Sequence, residues 1–130
     1  MERTEVTTVR EMSDAEYELL YWHIDNAGRA RAIELSDGSV LLPSMDPEGN
    51  GAGYFDGLPA DTDQVVGETI ETVRPDNTFP NTNAHRPAPP KIELSNGIAI
   101  VPLADPEGNG PGTLVQIDGE KIYQIGFQSN

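Results

Sequence analysis

The hexapeptide Asp-Pro-Glu-Gly-Asn-Gly occurs at 46–51 and again at 105–110, and the repetition extends well beyond it. The stretch AIELSDGSVLLPSMDPEGNGAG at 32–53 aligns with KIELSNGIAIVPLADPEGNGPG at 91–112 at a constant offset of 59. Upstream, EVTTVR at 5–10 matches TIETVR at 69–74 at an offset of 64, so the second copy is five residues shorter between its first strand and its hairpin. An internal repeat of this kind restricts the fold more than any composition value, because both copies must adopt the same local structure. A unit of this size is marginal alone. The expectation is therefore one fused domain over 1–130, with repeat one at 4–60 and repeat two at 65–130, packed about a pseudo-twofold axis.

Within each unit the pattern is that of strands. Ile33 and Leu35 alternate with Glu34 and Ser36, Asp37-Gly38 suits a type I′ turn, and Val40 to Leu42 return. The second copy repeats this with Ile92, Leu94, Asn96-Gly97 and Ile98 to Val101, whose near-continuous apolar run predicts burial on both faces. Further strands are expected at 4–10, 65–74, 113–118 and 121–127, the last two joined tightly through 118–120. The inserts differ. Ser13 and Glu16 form a capping box, Met12 and Tyr17 take staple positions, and Ala15, Leu19 and Trp22 follow at helical spacing, which predicts a helix over about 13–23 with Trp22 as its anchor. In the second unit the Pro-rich linker 75–90 forbids a helix. The fold class is mainly β with one short N-terminal helix: an internally duplicated antiparallel sheet domain, either a small barrel or two facing sheets.

Oxygen-bearing side chains fall at alternate positions of each loop: Asp46, Glu48 and Asn50, then Asp105, Glu107 and Asn109. This parallels the opening of an EF-hand loop and makes these six residues candidate ligands for Ca²⁺ or Mg²⁺. The parallel is incomplete, because position 12 is Gly57 or Gln116 rather than glutamate, position 2 is proline, and strands rather than helices flank the loop. A second reading is a compound turn, since Asp-Pro-Glu-Gly suits a type I turn and Asn-Gly a left-handed one. The third is a surface loop that contacts a partner.

Val9-Arg10-Glu11-Met12-Ser13, an acidic helix ending at Trp22, and LSDGSVLLPSMDPEGNGAGYF at 35–55 together resemble a group of small haloarchaeal and bacterial proteins. These carry a V-R-x-M opening, a short helix ending in Trp, a DG hairpin and a P-S-x-D-x-E-G-N-G loop. The resemblance covers about residues 6–55 well and the second copy less well. It implies the same fold and a salt-adapted origin, and adds nothing on catalysis.

Composition narrows the function classes. The chain has 22 acidic against 8 basic residues, a formal charge of −14, and its two lysines are Lys91 and Lys121. Nucleic acid and anionic membranes repel such a surface. Acidic residues interleaved with apolar runs, and so little lysine, fit a halophile's cytoplasm, where molar salt shortens the screening length to about 3 Å. Absence of cysteine removes disulfides and thiolate chemistry. The N-terminus lacks an apolar signal core and no window reaches the length of a membrane span, so cytoplasmic residence is the expectation.

Catalytic constellations are weak. His23 and His85 fall in no ligand motif, and neither a nucleophile elbow nor a Walker lysine is present. Glu48 and Glu107 are the least arbitrary acid–base pair, being counterparts. Arg10 and Arg74 are matched too, and each is expected to bond a carboxylate, in its own or the other unit's loop. The functional expectation is a non-enzymatic β module that binds a protein partner or self-associates. The alternative is a divalent-cation protein using the twin loops, and an enzyme stands third.

Overall fold

The computed structural model describes residues 4–19, 30–44, 53–76, 89–103, 112–119 and 121–125. Over these the chain forms β1 (Val6–Glu11), α1 (Asp14–Leu19), β2 (Arg31–Leu35), β3 (Val40–Ser44), β4 (Tyr54–Asp56), β5 (Ile70–Pro75), β6 (Pro90–Leu94), β7 (Ala99–Leu103), β8 (Thr113–Asp118) and β9 (Lys121–Ile125). One antiparallel sheet has the order β1-β2-β3-β8-β9 and the other β4-β7-β6-β5. Among the described residues the fold is mainly β with one short helix, and of the two expected architectures it is the pair of facing sheets, with no closed barrel.

Strands cross between the units. β8 follows the second loop yet pairs with β3, in the register Ser44↔Thr113, Pro43↔Leu114 and Leu42↔Val115. β4 follows the first loop and pairs with β7, Tyr54↔Leu103 and Phe55↔Pro102. These are the same pairings made twice, 59 positions apart. A second crossing lies at the sheet corners, where Glu5 bridges Thr69. There the Val6 N–H donates to Glu68 O at 2.9 Å and the Ile70 N–H to Thr4 O at 2.8 Å. Ser36 and Ser95 brace this corner alike, their hydroxyls accepting from the N–H of Glu5 at 2.9 Å and of Thr69 at 3.0 Å.

The core lies between the sheets. Ile33, Leu35, Leu41 and Leu114 meet Phe55, Ile92, Leu94 and Ile100 there, all buried. Period-2 alternation places them on inner faces because each strand turns only its odd or even set inward. A smaller cluster of Met12, Ala32, Leu42 and Val115 occupies the outer face of the first sheet.

Three expectations need correction. The hairpins have three-residue loops: the N–H of Gly38 donates to Leu35 O at 3.0 Å and Leu35 N–H to Ser39 O at 2.9 Å, with the same pair at Gly97, Leu94 and Ile98. That is a type I turn closed by glycine at φ +88° and +91° rather than a two-residue type I′ turn. The strand expected at 65–74 begins only at Ile70, because Asp61 caps a 3₁₀ turn at Thr62–Gln64 that carries Val65 into the core. β7 is not buried on both faces, since Ala99 is exposed and Val101 half-buried, whereas β3 is buried on both from Leu41 to Ser44. β4 stops after three residues, where Gly57 turns at φ +86° and a side chain would collide with Ala99 O, while its counterpart Gln116 continues β8. Of the helix expected over 13–23, α1 covers Asp14–Leu19; residues 20–29, with Trp22 and His23, lie outside the described residues.

Candidate binding site at the ends of the twin loops

Each Asp-Pro-Glu-Gly-Asn-Gly segment leaves the fold from a strand that contains a proline. Pro43 and Pro102 are tolerated inside β3 and β7 because the ladders to β2 and β6 end at Leu41 and Ile100, so no strand on that side requires their N–H. Their carbonyls are used instead. The Gly53 N–H donates to Pro43 O at 2.8 Å and the Gly112 N–H to Pro102 O at 2.9 Å, closing the two loops identically.

The closures adjoin. A Cβ on Gly53 would lie within 3.0 Å of both Leu103 O and Ser44 O, and one on Gly112 within 3.0 Å of the same two carbonyl oxygens. Glycine is required at both exits by this contact, whatever the loop between does. The start of each loop, Ser44 or Leu103, thus touches the end of the other. Ser44, Leu103, Thr113 and Gly112 are buried, and Tyr54 and Gly53 are half-buried at the rim. Gln116 adds a further tie between units, its Nε2 donating to the buried Ser39 Oγ at 3.2 Å.

The six candidate ligands, Asp46, Glu48, Asn50, Asp105, Glu107 and Asn109, lie outside the described residues, as does His85. Among the described residues no group of three or more His, Cys, Asp or Glu could hold a metal ion, and no helix is long and apolar enough to cross a membrane.

Arg10 and Arg74 do bond carboxylates, and the bonds described run to strand and helix rather than to the loops. Arg10 grips Glu16 through both terminal nitrogens, at 2.7 and 2.9 Å, and Glu34 through Nε at 2.5 Å. Glu16 closes the capping box, accepting from Ser13 N–H at 2.8 Å. Burial alone would push the Glu16 carboxyl up, but Arg10 and Ser13 outweigh it and hold the group below the usual carboxylate range. The hydrogen bond to Glu16, reinforced by Glu34, raises Arg10 against a smaller opposing effect of burial. Arg74 pairs with Glu93 at 2.6 Å on the surface, where the Thr72 hydroxyl and then Arg74 lower the Glu93 carboxyl. A residue that the sequence did not flag is Arg31, which donates to Leu58 O at 2.7 Å and Pro59 O at 2.8 Å and fixes the segment after β4. Nothing in the local pattern marks it, because both acceptors are main-chain carbonyls distant in sequence.

No protein-family model matches the chain, and no curated protein or solved structure matches it significantly.

Proposed function

We propose that the protein is a salt-adapted, non-enzymatic β module that binds a protein partner through the two Asp-Pro-Glu-Gly-Asn-Gly loops acting as one bivalent surface. The observation that supports it is the contact of each loop's start with the other loop's end, at carbonyl-to-glycine distances that leave no room for a side chain. Two identical segments held on one rigid base behave as one recognition surface, because ordering the first also places the second. The glycine exits explain Gly53 and Gly112 but not the six residues between the stems, which stay identical while the buried strands drift from VLLPS to AIVPL. A segment whose sequence exceeds what its stems require is free to serve recognition.

The test replaces 46–51 and 105–110, singly and together, by Gly/Ser hexapeptides and compares cross-linking to proteins of the native extract in molar KCl. A partner held by the parent chain and lost on replacing either loop, with melting unchanged, supports the proposal. Retention of every cross-linked protein after both replacements sinks it. The same adjoining stems favour one second reading, a divalent-cation site drawing on Asp46, Glu48 and Asn50 and on Asp105, Glu107 and Asn109. Calorimetric titration with Ca²⁺, Mg²⁺ and Mn²⁺ decides it: saturable heat that disappears in Asp46→Asn/Asp105→Asn establishes the site, and no heat at millimolar metal removes it.

A further inference from the structure

An open sheet edge is a template for another strand, and soluble proteins blunt such edges with bulges, prolines, charges or short strands. Among the described residues the sheets end on β1 and β9 and on β4 and β5. β1 and β5 are both bulged, between Val6 and Thr8 and between Ile70 and Thr72, and β5 ends on Pro75. β4 is three residues long. Each of these strands also carries a carboxylate: Glu11, Asp56 and Glu71 respectively for β1, β4 and β5. β9 lacks the bulge, the proline and the carboxylate, and its one charged residue is Lys121. It runs in unbroken register along β8 from Asp118↔Lys121 to Leu114↔Ile125, and its sequence KIYQI holds neither proline nor acidic residue. Ile122, 51% exposed, is the most exposed large hydrophobic residue described.

We propose that β9 is a self-association edge, on which β9 of a second copy pairs antiparallel about a twofold axis and joins the two five-stranded sheets into one. The geometry closes on itself. Asp118 and Lys121 close a two-residue hairpin, so alternation points the N–H and C=O of Lys121, Tyr123 and Ile125 toward β8 and those of Ile122 and Gln124 outward. With the axis at Tyr123, Ile122 of each copy meets Gln124 of the other, and both are outward-bonding positions. Lys121 then meets Ile125, so like charges do not face across the axis. Charge favours this edge over the others: chains of −14 repel, and β9 is the edge strand that brings no carboxylates together. Screening of the remaining repulsion makes the dimer strengthen with salt. Antiparallel pairing also puts the loop stems Ser44 and Thr113 of the two copies at opposite ends of the joined sheet, away from the β9 seam.

Sedimentation velocity over a concentration series in molar KCl tests the pairing, with hydrogen exchange as the second readout. The parent chain is expected to dimerise, with the Ile122 and Gln124 amides gaining protection in the dimer. Gln124→Pro removes an outward N–H without taking a bond from β8, and Ile122→Lys places a cation on the edge; each is expected to weaken the dimer at least tenfold with the circular dichroism unchanged. Replacing both loops should leave the dimer intact, which separates this proposal from the one on partner binding. A monomer at millimolar concentration in molar KCl, or a dimer that survives both substitutions, overturns it.

Discussion

The outer faces of the two sheets are built from counterpart residues and have opposite surroundings. On the first sheet Ala32, Leu42 and Val115 are buried with Met12. The positions 59 residues away are Lys91, half-buried Val101 and exposed Asp56. The inner faces differ far less: Ile33, Leu35, Leu41 and Phe55 answer to Ile92, Leu94, Ile100 and Leu114, all buried. The two copies thus keep one layer and change the other. The inner layer is constrained by both units at once, through the exchanged strands.

The sharpest way to break this comparison is to truncate the matched apolar pair. Leu42→Ala removes a fully buried side chain and should cost about 3 kcal/mol, the usual range for such a cavity. Val101→Ala, at a half-buried site, should cost about 1 kcal/mol or less. Urea denaturation in molar KCl reads both, and equal losses would mean that the second outer face is as firmly packed as the first.

Matched arginines give the next contrast. Arg10→Ala strands the carboxylate of Glu16, which is only 7% exposed, and should cost about 2 kcal/mol. Arg74→Ala should leave the melting temperature nearly unchanged, because that side chain is 61% exposed and its pair with Glu93 is bathed in salt. The pH dependence of the first pair follows from the Glu16 carboxyl lying below its ordinary value of about 4.3 in the folded chain. As pH falls the unfolded chain takes up that proton first, so the stabilisation is complete above about pH 5 and disappears as pH drops through the folded value. The difference in melting temperature between the parent chain and Glu16→Gln should therefore be largest near neutrality and shrink in acid. A difference that stays constant down to pH 3 would detach Glu16 from the acid response.

Much of this architecture was legible in the residues. The constant offset gave the paired hairpins, Ser13 and Glu16 gave the start of the helix, and the alternation at Ile33, Leu35, Ile92 and Leu94 marked the core strands. The exchange of β4 and β8 was not legible, because a repeat shows which strands are equivalent but not which copy's strand lies beside which. The apolar run at 98–101 misled for a related reason: burial on both faces depends on a cover, and neither Ala99 nor Val101 is buried. The adjoining loop exits were hidden too. Gly53 and Gly112 read as parts of Gly-rich turns, and only the backbone carbonyls of Ser44 and Leu103 reveal what they accommodate.

The hairpin turns offer the finest test of how two counterparts diverge. Asp37 and Asn96 both sit before the glycine and both accept the N–H two residues on, from Ser39 at 2.9 Å and Ile98 at 3.1 Å. Each then does something the other cannot. The Asp37 carboxylate also accepts the Ser39 hydroxyl at 2.5 Å, and the bonds from Ser39 hold its carboxyl below the usual range. The Asn96 amide donates to Gln64 O at 2.7 Å, tying the hairpin to the 3₁₀ turn. Asn96→Asp loses that donor and sets a carboxylate against a carbonyl oxygen, for a loss of about 1 kcal/mol at this exposed site. Asp37→Asn keeps an acceptor for both Ser39 groups and should cost only about 0.3 kcal/mol, the difference between charged and neutral acceptors at a screened surface. Thermal melts of the two variants in molar KCl rank them. The reverse order would mean that the second hairpin is held by its strands alone and owes nothing to Gln64.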